Sequence, residues 1–438
     1  MTRHAPLRHS GLVERNYLRN RTIVSSDIGP LLEDVAATAG HELVVHRYPS
    51  GSDIGTWIVP PRWDVKEAWL KGPDGALIAS YADHPLFSIP YTQPFSGRVD
   101  HETLKRHVLL HPTQDDAFFY EHRFAYDYRK RLTDWAITLP RTLFNRLRAG
   151  EYTVHLDYDI ADGEMLVGEL CLPGATGECI ALLTDYCHPG QVNDSFTGIL
   201  AMLDVFERLK VMENRRYTYR LFFFPETIGS CVLLHARPDY AADTRLAIFS
   251  EFVGWGRNWK VLAGGDANGL SGKLGRQIAL AYRDVRCDGL ADGFGNDEAV
   301  FDFAGIPSLS VQMSECDEYH SSLDRPELIE PANVERAADI VFSLCRMMEE
   351  NRVLRLGQRV PVYLTRYGLY SDSVYQSADF EKNRTILYGL RDGRSLLDIA
   401  AAAGIEFAYV RSFAATLAER GLLETPLPDD DRRKCHGN

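Results

Sequence analysis

Two histidines and several carboxylates in this chain stand just after short apolar runs, where polar side chains are exposed to a common edge. Cys179–Thr184 runs into Asp185-Tyr-Cys-His-Pro-Gly-Gln-Val-Asn-Asp-Ser195. Tyr219–Phe224 runs into Pro225-Glu-Thr-Ile-Gly-Ser230, and Leu246–Phe249 ends at Ser250-Glu251. Pro307–Val311 leads through Gln312–Glu318 to Tyr319-His-Ser-Ser-Leu-Asp324. His188, Asp194, Glu226, Glu251 and His320 are therefore the candidates for chemistry. Imidazole nitrogens and carboxylate oxygens together make a catalytic zinc site when one position stays open for water. Each residue alone has a plainer role. A lone histidine usually packs or caps. Asp194 or Ser195 would cap a helix starting at Phe196, and Glu226 would favour a helix N-terminus electrostatically. The joint placement at successive strand ends is what points to a metal.

The elements that must hold these residues read as α/β. Glu178–Thr184 and Tyr219–Phe224 are nearly continuous apolar runs, as in strands buried on both faces. Between them Phe196–Lys210 has apolar residues at helical spacing. Leu246–Phe249 and Pro307–Val311 predict two further strands, and Pro331–Glu350 a closing helix. Strands alternating with helices predict a mixed, largely parallel sheet flanked by helices, with active residues at its carboxyl edge. Ile28–Ala39 predicts a short amphipathic helix. Residues 46–157 change texture: strand-like pieces such as Thr56–Val59, Glu67–Leu70 and Tyr152–Tyr158 alternate with Pro/Gly turns, a β-rich insert. Residues 1–45 and 158–351 then form the catalytic domain. Residues 352–379 read as a linker. Helices at 380–390, 395–403 and 406–420, followed by Leu422-Leu-Glu424, predict a winged-helix domain over residues 379–425.

These stretches resemble a known family. His188…Asp194, Glu226 before Gly229-Ser230, Glu251 before Val253-Gly254, and Tyr319-His320 before Asp324 resemble the M28-type zinc aminopeptidases. The closer resemblance is to bacterial aminopeptidase-like domain proteins of the DUF4910 type, in Cys187-His-Pro189, Asn193-Asp194, Pro225-Glu-Thr-Ile-Gly229 and Tyr319-His-Ser321. It covers most of the 438 residues, including the insert and the C-terminal unit. It implies a zinc-dependent amide hydrolase. His188, Asp194 and His320 would be metal ligands, Glu226 the general base, and Glu251 a further ligand if a second zinc binds. Two positions depart from the M28 pattern. Pro225 stands where the first or second of two consecutive glutamates is expected, and Gly190 stands where an aspartate follows the first histidine. Both favour one zinc over two. The alternative is a catalytically weakened metal-binding scaffold or regulator that recruits partners through the winged helix.

Three weaker candidates line up beside these. Asp297 and Glu298 would hold a substrate's free amine; a solvated loop is an equal reading. Tyr319 would donate to a developing oxyanion, with packing the commoner alternative. Arg123–Arg131, dense in aromatics and cations, would bind an anionic group, although a solvated face more often explains such a run.

Composition sets the class. The chain is 45% hydrophobic and 25% charged, with formal net charge −13. That is ordinary globular composition, and the acidity argues against general nucleic-acid binding. From Asp379 to the end, nine Lys/Arg face ten Asp/Glu, which does not supply phosphate neutralisation. A protein-contact or dimerisation role suits that unit better. The eight cysteines are scattered with no CxxC pair. Reduced thiols, no apolar run of membrane-span length and no N-terminal apolar run imply a cytoplasmic protein. The expected partner is a small peptide-like or amino-acylated substrate, with no membrane.

Overall fold

The computed structural model describes residues 6–121, 134–292, 295–372, 374–375 and 377–424. Eight strands form one twisted sheet in the spatial order Leu43–Pro49, Glu164–Leu172, Thr218–Phe224, Cys179–Asp185, Thr244–Ser250, Ser308–Ser314, Asn258–Ala263 and Val285–Gly289. The four middle strands run parallel. They are the four whose apolar runs are visible in the sequence, and they are buried almost without interruption. Antiparallel pairing on both sides makes the sheet mixed.

Helices Ile28–Ala39, Phe196–Lys210, Leu270–Ala281 and Pro331–Glu350 cover one face, where Leu31, Phe206, Ile278 and Leu344 meet Ile180, Ile248 and Val261 in one apolar cluster. Against the other face pack Ile228–Ala236, Asp297–Phe303 and the inner side of the insert, through Val232, Phe301, Trp63 and Tyr158. Burying each such side chain contributes about 1.5–3 kcal/mol. Phe222 and Phe224, two residues apart on one face of the same strand, stack with centroids 5.4 Å apart and anchor this second layer.

The chain leaves the main sheet after Pro49 and re-enters it at Glu164. Between them a four-stranded antiparallel sheet runs Leu77–Ser80, Arg62–Lys71, Glu151–Ala161 and Phe95–Asp100. The Arg123–Arg131 run falls outside the described residues.

The C-terminal helices Ser377–Arg391, Leu396–Ala403 and Phe407–Glu419 stand close to their expected places. Among the described residues this region has only isolated bridges, Val353 with Ser395 and Leu356 with Leu423, and no two-stranded wing. Hydrophobic periodicity locates helices, but Leu422-Leu-Glu424 is too short to specify a hairpin. The unit docks on the helix Leu270–Ala281 of the main sheet's helical layer: Lys273 Nζ donates to Asp398 at 2.7 Å, and Gln277 accepts from the Phe407 amide at 2.7 Å while donating to the Ile405 carbonyl at 3.1 Å.

Candidate metal centre

The Cys179–Asp185 strand delivers its polar sequel into a loop whose backbone is bound from two sides. Arg21, fully buried, donates to the carbonyls of Tyr186 at 2.6 Å, Gln191 at 2.8 Å and also His188. Asp324 Oδ1 accepts the amides of Val192 and Asn193 at 2.8 Å each, and its Oδ2 accepts that of Asp194 at 3.1 Å. A buried loop needs such partners because its peptide groups have lost water. Gly190 has φ +68°, and a Cβ there would lie 2.6 Å from the His84 ring. An aspartate would therefore meet both backbone strain and the insert, which explains the departure at this position.

Ser195 makes no capping bond; its Oγ donates to the Asp185 carbonyl at 2.8 Å. Asp194 is thus free to face the other strand ends. The Phe196–Lys210 helix crosses the end of the Thr244–Ser250 strand at Gly198, where a Cβ would lie 2.0 Å from the Ser250 carbonyl oxygen. Only glycine allows that approach, which brings Glu251 toward Asp194.

The strand ends converge. His188 Nδ1 lies 3.2 Å from Asp194 Oδ1 and 3.8 Å from Asp185 Oδ2, and its Nε2 lies 3.4 Å from Glu226 Oε2. His320 Nε2 lies 3.4 Å from Asp194 Oδ2. Donor atoms of His188, Asp194 and His320 all lie within 4.8 Å of one another, as do those of Asp185, Asp194 and Glu251. Ligands held about 2.0–2.1 Å from a tetrahedral zinc stand roughly 3.3 Å apart, so the spacing suits a shared ion.

Unmet bonding points the same way. Both Asp185 oxygens and His188 Nδ1 are buried without a hydrogen-bond partner; the close approach to Asp194 lacks hydrogen-bond geometry. Burial, reinforced by the charges of Glu226 and Asp194, pushes the Asp185 carboxyl far above the ordinary range. Burial with Asp185 and Asp194 nearby does the same to Glu251, which also accepts from Asn296 Nδ2. Burial would raise Asp194 too, but the imidazoles of His188 and His320 outweigh it and hold its carboxyl down. Stranded buried carboxylates beside imidazoles are costly unless a cation compensates them. The donor set fits a zinc ion.

Glu226 is the most open carboxylate of the group, with its side chain 30% exposed. It follows Pro225, and its amide donates to Cys187 Sγ at 3.1 Å. Tyr319 is half exposed and its ring stacks on His320 with centroids 3.8 Å apart. Both line a cleft of about 300 Å³ that also contains His188, Asp194, Glu251 and His320. Asp297 and Glu298 are fully buried and do not line it. Asp297 Oδ1 instead accepts the Thr227 amide at 3.1 Å and the Ser230 hydroxyl, tying down the turn after Glu226. A substrate amine does not reach this pair, so the expected amine-binding role does not fit their placement.

Sequence reasoning assigns no role to four contributors, although Asp324 stands within the family pattern. Asp185 looks like the end of a strand, and Asp324 like part of the loop after His320. Arg21 lies in an N-terminal segment without periodicity. Tyr120 comes from the insert: its amide donates to the His320 carbonyl at 2.8 Å and its hydroxyl to the Cys187 carbonyl at 3.2 Å. Its ring sits edge-on to both imidazoles, with centroids 5.1 Å from His188 and 5.0 Å from His320. Nothing local in the sequence links residues 120 and 320.

Comparison with known proteins agrees with this architecture. A Clostridium acetobutylicum protein described as a "Putative polysaccharide biosynthesis protein with aminopeptidase-like domain" is 26% identical over 395 residues, covering 87% of this chain and 88% of its own. A crystal structure of a "putative peptidase" from the same organism superposes with TM-score 0.82 at 22% identity, covering 94% of this chain and 95% of that one. A zinc aminopeptidase from Bacillus subtilis shares the fold at TM-score 0.51 and 13% identity, over 79% of this chain and 96% of that one. Residues 10–351 match the model of the domain of unknown function DUF4910, and the chain belongs to that family of aminopeptidase-like proteins.

Proposed function

We propose that the protein is a metal-dependent amide hydrolase of the aminopeptidase type, acting on a small peptide-like or amino-acylated substrate. The observation that carries this reading is the convergence of His188, Asp194 and His320 beside a partly exposed Glu226 in one cleft. One zinc would be held by His188, Asp194 and His320; a second would draw on Glu251. Zinc in such a site lowers the pKa of water to about 7 and polarises a carbonyl. Glu226 has the exposure and position to accept a proton at Oε2 and return it to the leaving amine. Burial holds the Tyr319 phenol well above its ordinary value, so it stays a donor at neutral pH, able to reach a developing oxyanion. Asp297 and Ser230 keep the turn behind Glu226 in place. Replacing Glu226 by Gln tests the assignment: the variant should retain zinc and lose nearly all hydrolysis of amino-acyl amides. Loss of zinc instead would make Glu226 a ligand.

The second reading is a metal-binding scaffold without turnover, and Pro225, in place of a second glutamate, favours it. Zinc retention with no hydrolysis of any amino-acyl amide would select it. In either case we read the C-terminal helices as a winged-helix-like contact module for protein, with no nucleic-acid partner. Support comes from the docked N-terminus of the Phe407–Glu419 helix, where a base-reading helix would need to be free. Assembly into homo-oligomers and a cytoplasmic location belong to the same proposal. No helix among the described residues is long and apolar enough to cross a membrane.

A further inference from the structure

The cleft has a second pole. Asp194, Glu226 and Glu251 make one wall acidic, whereas Lys260 stands on the wall built by the outer strands. Among the described residues it is the only lysine or arginine lining the cleft. Lys260 lies directly opposite Gln312 in the antiparallel pair of Asn258–Ala263 and Ser308–Ser314. Opposed residues share a face of a sheet. Trp259 and Val261 point into the helix-covered core, so Lys260 and Gln312 point the other way. Gln312 is buried, and its Nε2 donates to Ser310 Oγ at 3.2 Å, which steadies it beside the lysine.

Lys260 has no ion-pair partner among the described residues. Glu315, the cleft carboxylate on its side, is engaged by Arg257 at 3.6 Å and by Asn258 Nδ2 at 3.2 Å. Strands lie about 4.8 Å apart, so the Lys260 strand is two spacings, about 10 Å, from the strand Thr244–Ser250 that leads into Glu251. That separation is the length of a dipeptide-sized molecule. Once a cation balances the acidic wall, Lys260 is left as an uncompensated positive charge facing the same small cleft.

We propose that Lys260, beside Gln312, binds a carboxylate of the substrate, which makes the preferred substrates small amides with a negative charge remote from the scissile bond. This rests on the amide-hydrolase reading. The carboxylate belongs either to the leaving amine or to the amino-acyl side chain, and three substrates separate these sources: L-alanyl-L-alanine, L-aspartyl-L-alaninamide and the neutral L-alanyl-L-alaninamide.

The experiment uses the zinc-loaded full chain. Lys260→Ala should raise KM about tenfold for whichever carboxylate substrate is preferred, with kcat little changed and the neutral amide unaffected. Lys260→Arg should restore most of the loss. Equal changes for charged and neutral substrates, or no preference for either carboxylate in the wild type, would overturn the proposal. Calorimetric titration with glutarate gives a readout that needs no turnover. If no amide is cleaved, the hydrolase reading fails, yet glutarate should still bind the wild type about tenfold more tightly than Lys260→Ala. Equal glutarate binding by the two proteins would refute the lysine's role by itself.

Discussion

Two buried groups of histidine and carboxylate share the main sheet, and they differ in one respect. At the first, Glu169 sits in the strand Glu164–Leu172 and has donors: His46 Nε2 lies 2.8 Å from its Oε2, the Tyr240 hydroxyl donates to the same oxygen at 3.0 Å, and Arg220 Nε lies 3.5 Å from Oε1 as an ion pair. Burial would raise Glu169, but these partners outweigh it and hold its carboxyl below the ordinary value. At the second, Asp185 and Glu251 are just as buried yet pushed far upward, and Asp185 has no donor at all. The same residue types thus leave a carboxylate partnered by donors in one place and stranded in the other. An unfinished buried site is where a ligand supplies the missing charge.

The comparison can be broken in several ways. The largest effect is expected from Glu226→Gln: hydrolysis should fall by about 10²–10⁴, the usual worth of a general base, with zinc content unchanged. Steady-state kinetics with elemental analysis checks both halves. Next, Asp194→Asn should abolish zinc retention, whereas Glu169→Gln should retain zinc and lose about 1–3 kcal/mol of stability from the broken network. Denaturant unfolding with and without a chelator separates them, because chelation should lower the wild-type midpoint, leave Asp194→Asn unmoved and still act on Glu169→Gln. Asp185→Asn sharpens the contrast further. In chelator-treated protein at neutral pH it should raise stability by about 1 kcal/mol, since it removes a buried carboxyl that must take up a proton to stay folded, while Glu169→Gln lowers it. Both variants shifting in the same direction would mean that the two networks are alike.

The smallest effect concerns pH. Burial holds Asp297 at about 8, despite the bonds from Ser230 and Thr227. Unfolded, the carboxyl titrates near its ordinary value of about 3.9. The folded chain therefore retains a proton that the unfolded chain releases, and this group's contribution to stability is complete below about pH 4 and lost as pH rises toward 8. Asp297→Asn removes that dependence while its side-chain oxygen can still accept from Thr227. Its stability relative to wild type should grow steadily from pH 5 to 8 in urea unfolding curves. Parallel curves would show that Asp297 does not titrate in this range.

How much of this was legible in the sequence follows from the kind of signal each part emits. The four central strands are apolar on both faces, so they stand out, and the residues after them inherit a location at the sheet's carboxyl edge. His188, Asp194, Glu226 and His320 were legible for that reason. The strand Glu164–Leu172 was not: Glu169 interrupts its apolar run, and only the distant His46 and Tyr240 make that charge acceptable. Val285–Gly289 carries Arg286 and Asp288 at the sheet's border and emits no strand signal. Asp297 read equally as an amine-binding group and as part of a solvated loop, because sequence adjacency says nothing of the Ile228–Ala236 helix that buries it. Tyr120 and Arg21 depend on contacts to residues 67 or more positions away, which no local pattern encodes.

Elemental analysis of the purified, dialysed full chain, run in parallel with His320→Ala, tests the metal centre most directly. About one zinc per wild-type chain and almost none in the variant is the expected result. A folded wild-type protein that holds no zinc, and whose melting temperature does not move when zinc is added, would contradict it.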